Sequence, residues 1–153
     1  MKSTLETPEG QFTLVRIIQF AMLMAAPLVY LPVVWVIGEN AVAREDFSPF
    51  VLYLLLIVGT IQPIVCPLIE KMQLVNHRNR NINRKSAAAL YVSMVIVRTA
   101  FVEAIYIYGL VAFLLSNQLV NMLYFYPVGM IWTAIYWVRR ERFERFVSLL
   151  EST

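Results

Sequence analysis

The amino-acid sequence predicts an all-α integral membrane protein, a bundle of four transmembrane helices, from two observations. Apolar residues make up 59% of the 153 residues and the mean hydropathy is +0.65. A soluble domain of this length could not bury the apolar surface of so many apolar side chains. Three stretches, 17–38, 47–69 and 104–138, also contain no charged residue. Each is long enough for a helix of about 20 residues to cross the hydrocarbon core.

These stretches predict a single membrane domain with spans at 12–38, 49–70, 87–116 and 118–138. Residues 86–138 are too long for one span, so the polar triplet Ser116-Asn117-Gln118 is predicted to form a tight turn between the third and fourth spans. Inside a membrane, neighbouring helices satisfy the carbonyls that a proline frees. Prolines therefore predict kinks in the first, second and fourth spans, at Pro27, Pro32, Pro63, Pro67 and Pro127.

Basic residues predict the orientation. They concentrate in the loop 71–86 and in the C-terminal tail 139–153, which the positive-inside rule places in the cytoplasm together with the N-terminus. This orientation, in a membrane of the inner or cytoplasmic type, accounts for the net charge of +3 without a nucleic-acid partner. The simpler interpretation of these basic residues is that they are solvated. The alternative is that some of them contact anionic lipid heads or a partner protein, and the candidates are Arg78, Arg80, Arg84, Arg139 and Arg140.

The tail is predicted to form a short amphipathic helix over 139–150. Its apolar residues recur at helical spacing, and arginines and glutamates occupy the other face: Phe143, Phe146, Val147 and Leu150. This pattern is typical of a helix that lies at the membrane interface. Docking onto another subunit is the alternative.

Glu103 lies near the middle of the third span, with about 24 Å of helix before it and about 20 Å after it. A charged carboxylate at the bilayer centre costs at least about 2.5–3.5 kcal/mol on insertion scales. The group therefore either stays protonated or faces a water path, a cation or a polar neighbour, and it is a functional-site hypothesis by default. The plain alternative is a carboxyl hydrogen-bonded within the bundle, with Thr99 and Tyr106 available on its helix face.

Arg98 is the other charge of the third span. It precedes Glu103 by about 7.5 Å along the helix axis and about 140° around it, which argues against an ion pair within the helix. We expect its long stem to reach back to the cytoplasmic boundary, or its charge to pair with Glu103 of a neighbouring subunit.

The motif around Glu103 has a counterpart in a known family. Residues 100–112 read AFVEAIYIYGLVA, so that Glu103-Ala104 is followed by Ile107-Tyr108-Gly109-Leu110-Val111. This helix resembles the carboxylate-bearing helix of the proteolipid, or subunit c, of F-type and V-type rotary ATP synthases. The resemblance implies that Glu103 carries the ion, that Tyr108 helps to close the site and that Gly109 is a close-packing position. It covers one helix of four, so we expect a divergent relative and not a standard subunit c.

The function expected first is a proteolipid-like membrane subunit, in a homo-oligomeric ring or a larger membrane complex, in which Glu103 takes part in proton translocation. Thr99, Tyr106 and Tyr108 complete the predicted ion-binding residues. The alternative is a structural or scaffolding protein that anchors a larger complex, with Glu103 only packing and hydrogen bonding. A small transporter or channel lined by Glu103 and Arg98 ranks third. The sequence has no nucleophile–base pair, metal-ligand cluster or phosphate-binding loop, so neither an enzyme activity nor a cofactor is expected.

Overall fold

The computed structural model describes residues 7–38, 47–78 and 84–151, and all regular structure within these ranges is helical. Four helical stretches are long and apolar enough to cross a membrane, which confirms the all-α prediction and the number of candidate spans. We call them spans 1 to 4: Pro8–Gly38, Pro49–Val75, Ser86–Ser116 and Leu119–Tyr136.

Spans 1, 2 and 4 each consist of two α-helices, whereas span 3 lies within one. Span 1 contains α1 (Pro8–Phe20) and α2 (Ala26–Gly38), and span 2 contains α3 (Pro49–Ile61) and most of α4 (Cys66–Arg78). Span 3 lies within α5 (Arg84–Ser116). Span 4 contains α6 (Leu119–Leu123) and α7 (Phe125–Tyr136), and the tail forms α8 (Arg140–Glu151).

The interruptions of spans 1, 2 and 4 fall beside prolines. A π-helical segment, Ala21–Ala25, precedes Pro27, and a 3₁₀ segment, Gln62–Val65, contains Pro63. The break between α6 and α7 at Tyr124 comes just before Pro127. A proline lacks the N–H of the helical ladder and its ring crowds the carbonyl four residues earlier, so the helix changes its winding there. Interruptions of the helix thus lie beside four of the five prolines predicted to kink the spans, whereas Pro32 lies inside the uninterrupted helix α2.

The long helix α5 is the centre of the bundle, because spans 1, 2 and 4 and helix α8 all pack against it. Within the most apolar window of span 3, 44% of the residues are buried, against 18% in span 1 and 22% in span 2. Buried apolar clusters follow α5 from Ala87 near its start to Phe113 near its end. Helix α5 as a whole is therefore held in place by the other spans and by α8.

The predicted turn between the third and fourth spans forms at Asn117, whose φ of 54° lies in the left-handed region that asparagine tolerates. The Ser116 hydroxyl donates to the Ala112 carbonyl at 2.7 Å and accepts from the Gln118 N–H at 3.2 Å. A Cβ atom at Gly109 would lie 3.1 Å from the carbonyl oxygen of Met122. The glycine therefore lets α5 and the start of span 4 approach closely within one chain.

Helix α8 folds back onto its own chain. Phe143 and Val147 are buried in a cluster with Val15 of α1 and Tyr91 of α5. The ring of Phe143 packs 5.2 Å from the ring of Tyr91, edge to face, and 5.4 Å from that of Phe12. The apolar face that the sequence assigned to the membrane interface, or alternatively to another subunit, is therefore covered by α1 and α5.

Candidate functional site

Glu103 lies on α5 at the border between a buried and an exposed face. Val102 and Tyr106 are buried against Leu23 of span 1, whereas Ala100 and Ile107 are exposed on the outer surface of the helix. Glu103 is half-buried between them. The carboxyl therefore lies beside span 1 and close to the outer surface of the helix bundle.

One hydrogen bond to the Glu103 side chain is present within the described ranges, and it comes from span 1. The Tyr30 hydroxyl donates to Glu103 Oε1 at 3.1 Å. Helix α2 places this tyrosine between Pro27 and Pro32, in the turn that follows the π-helical segment. A neutral hydroxyl thus holds the carboxyl, and no Lys, Arg or His of the described part of the chain forms an ion pair with it.

The polar residues predicted to share the site with Glu103 have other partners. The Tyr108 hydroxyl donates to Gln62 Oε1 at 2.7 Å, toward span 2. The Tyr106 hydroxyl lies 3.4 Å from Thr133 Oγ1 of span 4. Thr99 is buried, and its hydroxyl has no hydrogen-bond partner within the described residues. The structure therefore brings Tyr30, and not these three residues, to the carboxyl.

Arg98 is paired inside the chain. Its guanidinium Nε and Nη2 donate to the two carboxylate oxygens of Glu70 on α4, a bidentate arrangement that is the strong form of this ion pair. The side chains keep exposed fractions of 20% and 13% respectively. Arg98 therefore joins spans 2 and 3, and its charge is neutralised without a neighbouring subunit.

Spans 1 and 4 complete this polar cluster. The Arg98 guanidinium lies 5.5 Å from the ring centre of Tyr136, within the range of a cation–π contact. The Tyr136 hydroxyl donates at 2.7 Å to the carbonyl of Pro63, whose usual α-helical donor is missing because residue 67 is a proline. We call Gln19, Glu70, Arg98 and Tyr136 the inner clasp.

Gln19, on α1, connects span 1 to the end of span 4. This buried amide donates to the Tyr136 carbonyl at 2.9 Å and accepts from the Val138 N–H at 2.9 Å. Tyr136 ends α7, so its carbonyl has no partner within the helix, and Val138 lies two residues beyond it. The side chain thus caps span 4 from span 1.

The basic residues proposed for contact with lipid heads or a partner are only partly described. Arg139 and Arg140 are exposed. Arg140 bonds Glu144 at 2.7 Å and approaches Glu9 at 3.6 Å; the hydrogen bond to Glu144 raises the pKa of the Arg140 guanidinium. Arg80 and the side chains of Arg78 and Arg84 lie outside the described residues.

Glu103 and Arg98 point in different directions, so the two charges do not line one cavity. Arg98 turns toward spans 2 and 4, and Glu103 turns toward span 1. Within the described ranges, no three His, Cys, Asp or Glu side chains come together as a metal site requires. The chemistry open to the Glu103 site is exchange of a proton or cation at a single carboxyl.

The chain matches no protein-family model, no curated protein sequence and no solved structure. The likeness of residues 100–112 to the proteolipid helix therefore stays a prediction from the sequence.

Sequence reasoning missed Tyr30 and Glu70, the two direct partners of the intramembrane charges. Glu70 is the last residue of the predicted second span, 49–70, and no local pattern linked it to Arg98. A carboxyl at the inner end of a neighbouring span is the signal that could have identified the partner of Arg98. Tyr30 resembled an ordinary span tyrosine, and no local pattern distinguished it.

Proposed function

We propose that the protein is a proton-exchanging membrane subunit in which Glu103 takes up and releases a proton within the bilayer. The observation that carries the proposal is the contrast between the two carboxyls of spans 2 and 3. Glu70 is neutralised by Arg98, whereas Glu103 has one neutral hydroxyl donor and lies at the border of the lipid-facing surface.

The physical reason is that a carboxyl in this setting has two accessible states. Burial in hydrocarbon disfavours the ionised form, while a hydroxyl that donates to the carboxylate favours it. No cation of the described residues pairs with Glu103, so no ion pair locks either state, as suits a group that exchanges protons. The likeness of 100–112 to the proteolipid helix supports the same function.

The proposal includes an orientation and an association state. Both termini and the loop 71–86 lie in the cytoplasm, because the basic residues cluster there. Copies of the chain associate in a membrane of the inner or cytoplasmic type, as a ring or within a larger complex, so that Glu103 of one copy faces its neighbour. The exposed residues Ala100 and Ile107 leave this side of α5 open to such a contact.

Proton flux into proteoliposomes tests the proposal. Vesicles loaded with potassium and a pH-sensitive dye receive valinomycin, so that potassium efflux drives protons inward. We expect the wild-type protein to acidify the vesicles faster than protein-free liposomes, and Glu103→Gln to reduce the rate to that of the lipid alone.

The matched control is Glu141→Gln, which removes an exposed carboxyl from α8, outside the spans. This variant should retain the wild-type rate. A wild-type rate equal to that of empty liposomes, or a Glu103→Gln rate equal to the wild-type rate, would count against proton exchange at Glu103.

A second candidate function is a structural protein that anchors a larger complex. The observation that favours it is that both intramembrane charges already have partners in their own chain, Arg98 with Glu70 and Glu103 with Tyr30. In this case, Glu103→Gln leaves both the proton flux and the association of the chain unchanged. The flux measurement therefore distinguishes the two functions.

A further inference from the structure

Tyr30 is the residue of span 1 that contacts the Glu103 carboxyl. It is half-buried on α2, and its hydroxyl reaches across to Glu103 Oε1 at 3.1 Å. The residues around it on α2 are apolar, from Leu28 and Val29 to Leu31. The contact is therefore the polar link between this part of span 1 and the carboxyl of span 3.

The other groups that face this region are neutral. Tyr106 of α5 and Tyr126 of α7 pack edge to face, with ring centres 5.4 Å apart. The Tyr126 hydroxyl donates to the Pro27 carbonyl at 2.8 Å, and Tyr106 is next to Thr133. Arg98 is bound to Glu70 and turned away. Among the described side chains, Tyr30 is thus the direct hydrogen-bond donor to Glu103.

The backbone that carries Tyr30 is less regular than a standard helix. The π-helical segment Ala21–Ala25 ends shortly before it, and Pro27 and Pro32 lie on either side of it. Because Pro32 has no N–H, the carbonyl of Leu28 lacks its usual donor in the helix. The hydrogen-bond ladder of α2 is therefore interrupted in the turn that carries Tyr30.

We propose that Tyr30 is the positioning residue that sets the proton affinity of Glu103. Its hydroxyl bonds the ionised carboxylate and so favours release of the proton. When Glu103 is protonated, the bond loses its charge assistance and weakens, and the tyrosine separates from the carboxyl more easily. This inference rests on the proposed function and adds the group in span 1 that regulates the exchange.

The pH profile of carbodiimide labelling tests the inference, because a hydrophobic carbodiimide modifies a carboxyl in its protonated form. Labelling of Glu103 in the full-length protein in lipid vesicles is followed by mass spectrometry of its peptide between acid and alkaline pH. We expect Tyr30→Phe to move the pH of half-maximal labelling upward by about one unit, a tenfold change in proton affinity, since it removes one charge-assisted hydrogen bond.

The matched control is Tyr126→Phe, which removes a hydroxyl from the same aromatic cluster and also one bond to span 1, but not the bond to Glu103. Its profile should coincide with that of the wild type. A Tyr30→Phe profile that coincides with the wild type overturns the inference. So does an equal shift in both variants, which would indicate a general loosening of span 1.

A second measurement does not depend on labelling chemistry. The infrared band of the protonated carboxyl, assigned by its disappearance in Glu103→Gln, should titrate with the same shift in Tyr30→Phe. If this titration shows no shift while Glu103 still titrates in the wild type, only the role of Tyr30 fails. If Glu103 neither titrates nor labels at any pH in the wild type, the proposed function and this inference both fail.

Discussion

Glu70 of span 2 and Glu103 of span 3 have opposite surroundings in the fold. Glu70 receives two hydrogen bonds from Arg98 and belongs to the inner clasp, which joins all four spans. Glu103 receives one hydrogen bond from a neutral tyrosine. The difference teaches that burial alone does not define a functional carboxyl. An acid paired with a fixed cation is held in its ionised form, whereas an acid without a cation beside it is the candidate for the proposed proton exchange.

Removing one partner of the inner clasp should therefore be the most destabilising of the changes considered. Arg98→Ala leaves the Glu70 carboxylate without its counter-charge, and loss of one member of a buried ion pair typically costs about 3–5 kcal/mol. We expect a loss of this size in the free energy of unfolding, measured by titration of mixed micelles with a denaturing detergent.

The matched control is Arg16→Ala. Arg16 is exposed on α1 and contacts the Phe12 ring at 5.9 Å, so its loss should cost less than about 1 kcal/mol. The double variant Arg98→Met with Glu70→Met should recover most of the loss, because a paired apolar replacement leaves no buried charge. Equal losses for Arg98→Ala and Arg16→Ala would contradict the importance of the clasp.

The region around Glu103 should depend more on packing than on charge. A Cβ atom at Gly129 would lie 2.5 Å from the ring of Tyr106, and this ring is buried against Leu23 and Val102. Gly129→Ala forces the ring or the helix to move, which we expect to cost about 1–3 kcal/mol in the same unfolding measurement.

Gly38→Ala serves as its control, because the added Cβ meets Phe113 at 3.4 Å, an ordinary contact. Gly38 is the last residue of α2, so the gain in helix propensity from alanine applies chiefly to Gly129→Ala, where it opposes the expected loss. If both variants change stability equally, the close approach of Tyr106 to span 4 is not what requires glycine at position 129.

The spans were predictable because their signal is local. Apolar runs defined the candidate helices, the triplet at Ser116 marked the turn, and prolines marked the changes in helix type. The ends of the helices were less predictable. Helix α4 extends to Arg78, beyond the predicted boundary at residue 70, because a helix can continue past the end of its apolar run.

The site was predictable only in part because its contacts are distant in sequence. Glu103 was identified from its depth in one span, but Tyr30 is 73 residues away and Glu70 is 28 residues from Arg98. The rotation and depth of each helix determine which helix faces meet. The π-helical segment of span 1 and the 3₁₀ segment of span 2 change this rotation. Periodicity within α5 contains no information on that rotation.

We expect the smallest effect on stability from Glu103→Gln, and this variant also tests the comparison between Glu70 and Glu103 most directly. Glu103→Gln retains an amide oxygen that can accept from the Tyr30 hydroxyl, so the free energy of unfolding should change by less than about 1 kcal/mol. Glu70→Gln makes the same chemical change but leaves the Arg98 guanidinium without an anion, and should cost about 3 kcal/mol or more. Both are measured in the same detergent titration. If Glu103→Gln destabilises the protein as much as Glu70→Gln, Glu103 is a structural residue like Glu70, and the contrast that supports proton exchange disappears.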